Sequence, residues 1–363
     1  MKRTQALHDL GQSLWLDNIT RAMLDDGTLR RYVDDFSITG LTSNPTIFDD
    51  AIGNGPAYDD AIRAKTQAGI SGEALFLELA LEDLRRASDE FRPAFEATRG
   101  IDGWVSMEVS PLLAADTRGS IEAAARIHAM AGRENLFVKI PGTPEGVPAI
   151  EESIYDGVPI NVTLLFSREQ YLAAANAYLR GIERRIAARR DPRVASVASL
   201  FVSRWDKAVA DSVPHALRNR LGIAVAQRAW KAYRDLLASP RWKELAAAGA
   251  MPQRLLWAST STKDPAASDT LYVEALAAPD TIDTMPEKTL KAFAAHGRLS
   301  GPMDADGGDA ERTLAEFARA GIDVDALATQ LQREGADAFV KSWKQLLDRI
   351  ERKSRALSAK HRS

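Results

Sequence analysis

One lysine, Lys139, sits inside the apolar run LFVKI (136–140), where its ammonium would be short of solvent. Desolvation or a neighbouring cation favours the uncharged amine, and such an amine can attack a carbonyl to form a Schiff base. The same lysine could instead reach solvent along its aliphatic stem or pair with Glu108, and on its own it does not decide between these. Two carboxylates, Asp17 at the end of SLWLD and Glu108 in WVSMEV, offer the proton transfers that carbon–carbon cleavage beside a hydroxyl and imine hydrolysis both require. They would also suit a metal. However, His8, His128, His215, His296 and His361 fall in helical or terminal segments and there is no cysteine, so zinc lacks its usual ligands. Magnesium on carboxylates alone is the weaker alternative, and the expectation is a site with no metal and no cofactor.

Asp17, Asn44, Glu108, Lys139, Asn161 with Thr163, Ser199 and Ser259 each close or nearly close an apolar run. Polar residues often end strands simply because turns begin there, which is the better reading for any one of them. As a set they are harder to dismiss, because a Lys, an Asp and a Glu inside apolar strands are costly to bury unless they converge on each other or on a ligand. Alternation along a strand places Asn161 and Thr163 on one face and turns Lys139 away from Val138 and Ile140.

The elements that must position these groups are eight short runs: 13–17, 38–44, 104–109, 136–140, 159–163, 194–202, 254–260 and 281–285. Amphipathic segments such as 72–91, 120–132 and 167–190 lie between them, with apolar residues three and four apart. Alternating strands and helices imply parallel strands with right-handed crossovers, and eight such units predict an α/β (β/α)8 TIM barrel with additional helices, whose reactive groups lie at the C-terminal strand ends. An open doubly wound sheet is weakened because GNGPAYDD (53–60) lacks the third glycine of a dinucleotide fingerprint, and it reads as a loop. With 363 residues, 45% of them apolar, the chain is expected to form one domain over 1–363, with a basic tail frayed over 352–363. HGRLSGPMDADGGD (296–309) is expected as a long loop after the eighth strand, more readily solvated than covering the site.

Forty-seven basic and 50 acidic residues are mixed along the chain, so no basic face for nucleic acid is expected and any bound phosphate belongs to a small molecule. No apolar run reaches the length of a membrane span and the N-terminus lacks a secretory pattern, so the expectation is a cytoplasmic protein off the membrane. Oligomeric state is not legible, and a homodimer is one option.

The strings GLTSNPTIFDDAI (40–52), ENLFVKIPGTPEGVPAI (134–150), PINVTLLFSREQY (159–171), SVASLFVSRWDK (196–207) and LLWASTSTKDP (255–265) together resemble the transaldolases, most closely their longer bacterial subgroup. The resemblance runs in the same order over about residues 10–300. It implies a (β/α)8 barrel of the pentose phosphate pathway that moves a dihydroxyacetone unit from sedoheptulose 7-phosphate to glyceraldehyde 3-phosphate. It implies Lys139 as the Schiff-base lysine, Glu108 working through a bound water that Thr163 helps to fix, and Asp17 as acid and base for carbon–carbon cleavage. Asn44, Asn161 and Ser199 would hold hydroxyls of the three-carbon unit, and Arg204 would bind the substrate phosphate.

One departure from the family pattern concerns that phosphate. A second arginine commonly follows a serine by two residues on the seventh strand. Here the serine is Ser259 and the matching position is Ser261. Lys263, two residues further, could supply the charge, though an ammonium cannot reproduce the guanidinium fork. Two rival readings remain: a Schiff-base aldolase that releases dihydroxyacetone, and a sugar-phosphate-binding barrel without catalysis. Phe201, apolar where a tyrosine could activate water, favours transfer over release, and the set Lys139, Glu108 and Asp17 argues against a barrel that only binds.

Overall fold

The computed structural model describes residues 2–359. Each expected run forms a strand: β1 Ser13–Asp17, β2 Ile38–Thr42, β3 Val105–Glu108, β4 Leu136–Pro141, β5 Ile160–Leu165, β6 Ser196–Phe201, β7 Gln253–Ala258 and β8 Ile282–Met285. All neighbouring strands pair in parallel in sequence order, and β1 pairs with β8, so the sheet closes into a (β/α)8 barrel. The intervening helices follow the apolar spacing, with Gly72–Ala97, Thr117–Ala131 and Arg168–Ala187 among them. Their starts are chemically marked. Asp116 accepts the backbone N–H of Gly119 at 2.9 Å, and Ser167 accepts that of Gln170 at 3.1 Å, each satisfying a donor that the first helical turn leaves unpaired.

Register and parity decide what the barrel mouth contains. Glu108 is the cross-strand partner of Lys139, Lys139 that of Asn161, and Asp17 that of Thr42, so these side chains share one layer at the C-terminal strand ends. Two residues earlier on the same faces, Trp15 and Phe137 occupy the layer below. Phe137 stacks on Trp104 with ring centroids 4.0 Å apart and lies 6.2 Å from Trp15, giving the site a rigid apolar floor. Gly40 makes room for that floor: a Cβ there would come within 2.7 Å of the Trp15 indole and 2.6 Å of the Trp104 carbonyl.

The stretch 53–60 contains the end of the helix Pro45–Gly53, an irregular connection, and the start of the helix Asp59–Gln67. Residues 297–309 are largely irregular, and Leu299 and Met303 pack against the apolar layer outside the barrel. The basic end of the chain, expected to fray from 352, is helical as far as Ala359. The helix Val324–Ala359 is held there by Lys353, which pairs with Asp59 at 2.9 Å and donates to the Ile52 carbonyl at 2.8 Å, and by the buried Leu357. The rest of that tail, 360–363, lies outside the described residues, as does His361. No helix of the described residues is long and apolar enough to cross a membrane.

Candidate active site

At the mouth a cavity of about 270 Å³ is lined by Asp17, Asn44, Lys139, Thr163, Ser199, Phe201, Arg204, Ser259 and Lys263, with Thr42, Thr284 and Phe339 beside them. Lys139 is buried, its Nζ 2.6 Å from Glu108 Oε1 and donating to the Ser43 carbonyl at 3.0 Å. Glu108 lies just behind the cavity wall. Among the described residues neither of its oxygens has a well-aligned hydrogen-bond partner, and neither does Thr163 Oγ1. Burial raises the Glu108 carboxyl above its usual range; the adjacent Lys139 charge opposes this only in part, and the Asp17 charge adds to it.

Asp17 is handled differently. Its Oδ1 accepts from Thr42 Oγ1 at 2.9 Å, and Thr42 is in turn 2.7 Å from Thr284 on β8, so two strands flanking β1 fix the carboxylate. Burial pushes its carboxyl upward as well, against the pull of Lys139, the Thr42 hydrogen bond and Lys263. Two carboxyls in one mouth thus keep protons longer than free ones would, one beside the amine and one across the cavity. That arrangement suits proton transfer on both sides of a reacting centre.

Asn161 and Ser199 form a relay: Ser199 Oγ donates to Asn161 Oδ1 at 2.7 Å and Asn161 Nδ2 donates to Ser106 Oγ at 3.1 Å. Asn161 is fully buried and reaches the cavity only through Ser199. The conformation of β5 helps to aim this wall. Leu164 has a φ of 59°, and the register with β6 shifts between Val162 and Leu165. Asn44 serves as the N-cap of the helix Pro45–Gly53, accepting the Ile47 N–H at 3.1 Å, while its amide NH2 has no protein acceptor among the described residues.

The cationic side of the cavity is built from β6 and β7. Arg204, in the helix Ser203–Val209, makes no hydrogen bond or ion pair among the described residues. Its guanidinium carbon lies 5.2 Å from the Phe201 ring centroid and 6.0 Å from that of Phe339. Ser259 follows β7 with a φ of 57° and lies 2.9 Å from Ser203, oxygen to oxygen. Lys263 lines the cavity, is bonded to Ser261, and is held below the usual lysine range by burial and by the nearby charges of Lys207 and Arg204. Arg298 does not line the cavity, and neither does any other residue of 296–309. No group of three or more His, Cys, Asp or Glu side chains among the described residues is placed to hold a metal ion.

Sequence reasoning missed Thr42, Ser43, Ser106, Thr284 and Phe339. The first four carry the signal already used for their neighbours: each is a polar residue in or directly after a strand, and parity puts Thr42, Ser106 and Thr284 on inward faces. Phe339 carries none, since it stands in a helix more than 50 residues beyond the last strand.

A family model described as transaldolase/fructose-6-phosphate aldolase matches residues 14–350. The chain belongs to this family. It is 42% identical to "Transaldolase 2" of Nostoc punctiforme, with 96% of each chain covered. It is 44% identical to the transaldolase of Thermobifida fusca, over 95% of this chain and 96% of that one, and 43% identical to the transaldolase of an Arthrobacter species, over 96% of each. Membership at this level makes the chain an enzyme, a transferase of the transaldolase type.

Proposed function

We propose that this enzyme transfers a dihydroxyacetone unit from a ketose phosphate to an aldose phosphate, the pair being sedoheptulose 7-phosphate and glyceraldehyde 3-phosphate, with Lys139 as the covalent anchor. The observation that carries the reading is the buried Lys139–Glu108 contact at 2.6 Å with Asp17 on the same cavity. Glu108 takes the proton that the ammonium must lose, and the amine adds to the ketose carbonyl. Loss of water from the adduct leaves a protonated Schiff base, an electron sink for the neighbouring carbon–carbon bond. Asp17 as carboxylate removes the proton of the hydroxyl on the far carbon of that bond, which becomes the aldehyde carbon of the leaving sugar. The bond breaks, the shortened aldose phosphate leaves, and the electron pair rests in the lysine-bound three-carbon unit. Addition to the acceptor aldehyde reverses these steps, with Asp17 returning the proton. Glu108, whose close partner is the Lys139 ammonium, and Thr163, whose hydroxyl has no hydrogen-bond partner among the described residues, hold the water that forms and later hydrolyses the imine.

Asn44, Ser199 and, through Ser199, Asn161 hold the hydroxyls of the three-carbon unit, while Arg204 takes the phosphate with Lys263 and Ser259 beside it. Phe201 lines the cavity as an apolar ring, which favours transfer over release because no phenol stands there to activate water against the bound unit. The reading takes the chain as one barrel domain, working in the cytoplasm where phosphorylated sugars are its partners.

Borohydride reduction in the presence of fructose 6-phosphate tests the reading. Mass spectrometry should find a reduced three-carbon adduct on the peptide containing LFVKIPGTPEG, at Lys139. An adduct on another lysine, or none from an active preparation, would remove Lys139 from the mechanism.

A further inference from the structure

Nothing in the proposed function explains why the longest helix of the chain crosses the mouth of the barrel. Val324–Ala359 presents one stripe to it, at Gln332, Gly335, Phe339 and Ser342, spaced three and four residues apart as one helix face requires. Gln332 donates to the Gly142 carbonyl at 2.9 Å and to the Leu164 carbonyl at 3.0 Å, tying the helix to β5 at its positive-φ residue and to the end of β4. Ser342 accepts from Thr46 at 3.0 Å on the opposite rim. Between these ties the helix lies directly over Arg204. A Cβ at Gly335 would fall 3.2 Å from Arg204 Nη1 and 2.8 Å from Leu164 Cδ2, so any larger residue there would displace these two side chains. One turn on, Phe339 reaches into the cavity and stands over the guanidinium that Phe201 meets from the barrel side.

We infer that Gly335 and Phe339 are positioning residues: with Phe201 they seat the Arg204 guanidinium between two rings, fix its fork toward the cavity, and so set the preference for phosphorylated sugars. The inference rests on the reading of Arg204 as the phosphate ligand. Its physical basis is that Arg204 makes no hydrogen bond or ion pair among the described residues to orient it, the Glu334 carboxylate acting on its charge only from a distance. A free guanidinium on a flexible stem would lose side-chain entropy on meeting phosphate, whereas ring faces hold a cation attractively without occupying any of its five N–H donors. Burial that disfavours the charged form of Arg204 is consistent with a group kept dry for an anion.

The test compares Phe339→Leu, Phe339→Trp and Gly335→Ala with the unsubstituted enzyme, each in the Arg204 and the Arg204→Ala backgrounds, using fructose 6-phosphate and unphosphorylated fructose as donors. Phe339→Leu should raise KM for fructose 6-phosphate about 3- to 10-fold, leave its kcat within about twofold, and leave kcat/KM for fructose unchanged. Phe339→Trp should restore the KM, and Gly335→Ala should raise it as Phe339→Leu does, which keeps the test alive if one variant does not fold. In the Arg204→Ala background all three should lose their effect. Equal losses on both donors, or the same loss with and without Arg204, would mean that the helix only covers the mouth and would overturn the inference. If Arg204→Ala discriminates between donors while the helix variants do not, the inference fails alone. If Arg204→Ala itself does not discriminate, the phosphate reading fails and takes the inference with it.

Discussion

The two ends of the barrel treat buried ionised groups in opposite ways. At the base, Arg254 at the start of β7 donates to Ser13 Oγ at 2.7 Å, the Thr281 carbonyl at 2.8 Å and the Ile101 carbonyl at 3.1 Å. Nearby Asp102 accepts from the Trp15 indole and from the Gly103 backbone, each at 2.9 Å. At the mouth, among the described residues, Glu108 has no aligned partner on either oxygen, Arg204 has none on its donors, and Lys139 is held by an ion pair and one carbonyl. An unmade hydrogen bond in a buried site costs about 1–3 kcal/mol, so the mouth is less stable than the same residue types could make it. The base uses its polar groups to close the barrel, and the mouth keeps its own for a ligand that completes them.

The largest expected effect of breaking this contrast is at Lys139. Lys139→Ala should fold, because its carboxylate partner is already biased towards the neutral acid, yet transfer activity should fall by several orders of magnitude because no other group supplies the covalent electron sink. Single-turnover assays on a preparation of unchanged circular dichroism check it, and near-normal turnover would sink the Schiff-base reading.

Asp283 sharpens the comparison as a third way of handling a buried carboxyl. It is fully buried on β8, accepts from Thr260 at 2.9 Å on one oxygen, has no partner on the other among the described residues, and is pushed up to about 7 by burial. Such a group stabilises the fold below its ordinary value near 3.8, and that stability is lost as pH rises through about 7. Asp283→Asn removes the titration. Between pH 4 and 8 the native protein should therefore lose on the order of 4 kcal/mol that the variant keeps. Urea midpoints across that range measure it, and parallel pH profiles for the two proteins would show that Asp283 is not buried as an acid.

How much of this was visible before folding depends on the range of the interaction that creates each feature. The eight strands were legible because their periodicity and their flanking helices are local. The grouping of Lys139, Glu108, Asp17 and Thr163 at one end followed from parity and strand order alone. Thr42, Ser106 and Thr284 obey the same parity but look like ordinary strand-end residues until register sets them beside Asp17 and Asn161. Phe339 and Gly335 had no local signal, because what makes them part of the mouth is the docking of a helix against strands some 170 residues away in sequence, as the Gln332–Leu164 hydrogen bond shows. The stretch 296–309 is largely exposed, as its reading as a solvated loop expects, and the cover over the mouth comes from that helix; the tail's helicity to Ala359 has the same long-range cause.

Breaking the base instead of the mouth should invert the phenotype. Arg254→Ala removes the donor to one hydroxyl and several carbonyls, which should cost about 2–4 kcal/mol of stability by leaving them unpaired. The activity of the remaining folded protein should be unchanged. Measured as a urea midpoint and as turnover per folded molecule, a loss of turnover without a loss of stability would end the division of labour drawn between the two ends.

The smallest effect expected is at Lys263, and it separates two jobs that the mouth assigns to one ammonium. A charge-assisted hydrogen bond contributes about 1.5–3 kcal/mol, so Arg204→Ala should lower kcat/KM for a sugar phosphate by about 10- to 100-fold. Lys263 is a point charge already bonded to Ser261, with no planar fork to match two phosphate oxygens, so Lys263→Ala should cost less, and on phosphorylated donors only. Its second job is electrostatic. Lys263 is one of the cations that pull the Asp17 carboxyl down against burial, so its removal should let that carboxyl rise further. Because Asp17 must be ionised to take a proton, the acid limb of the kcat/KM profile should then move to higher pH, for phosphorylated and unphosphorylated donors alike. A drop in phosphate preference with no movement of the acid limb would leave Lys263 as a phosphate ligand alone. Movement of the limb with no change in preference would return the second phosphate contact to Ser259 and Ser261, whose hydroxyls stand on the same wall of the cavity.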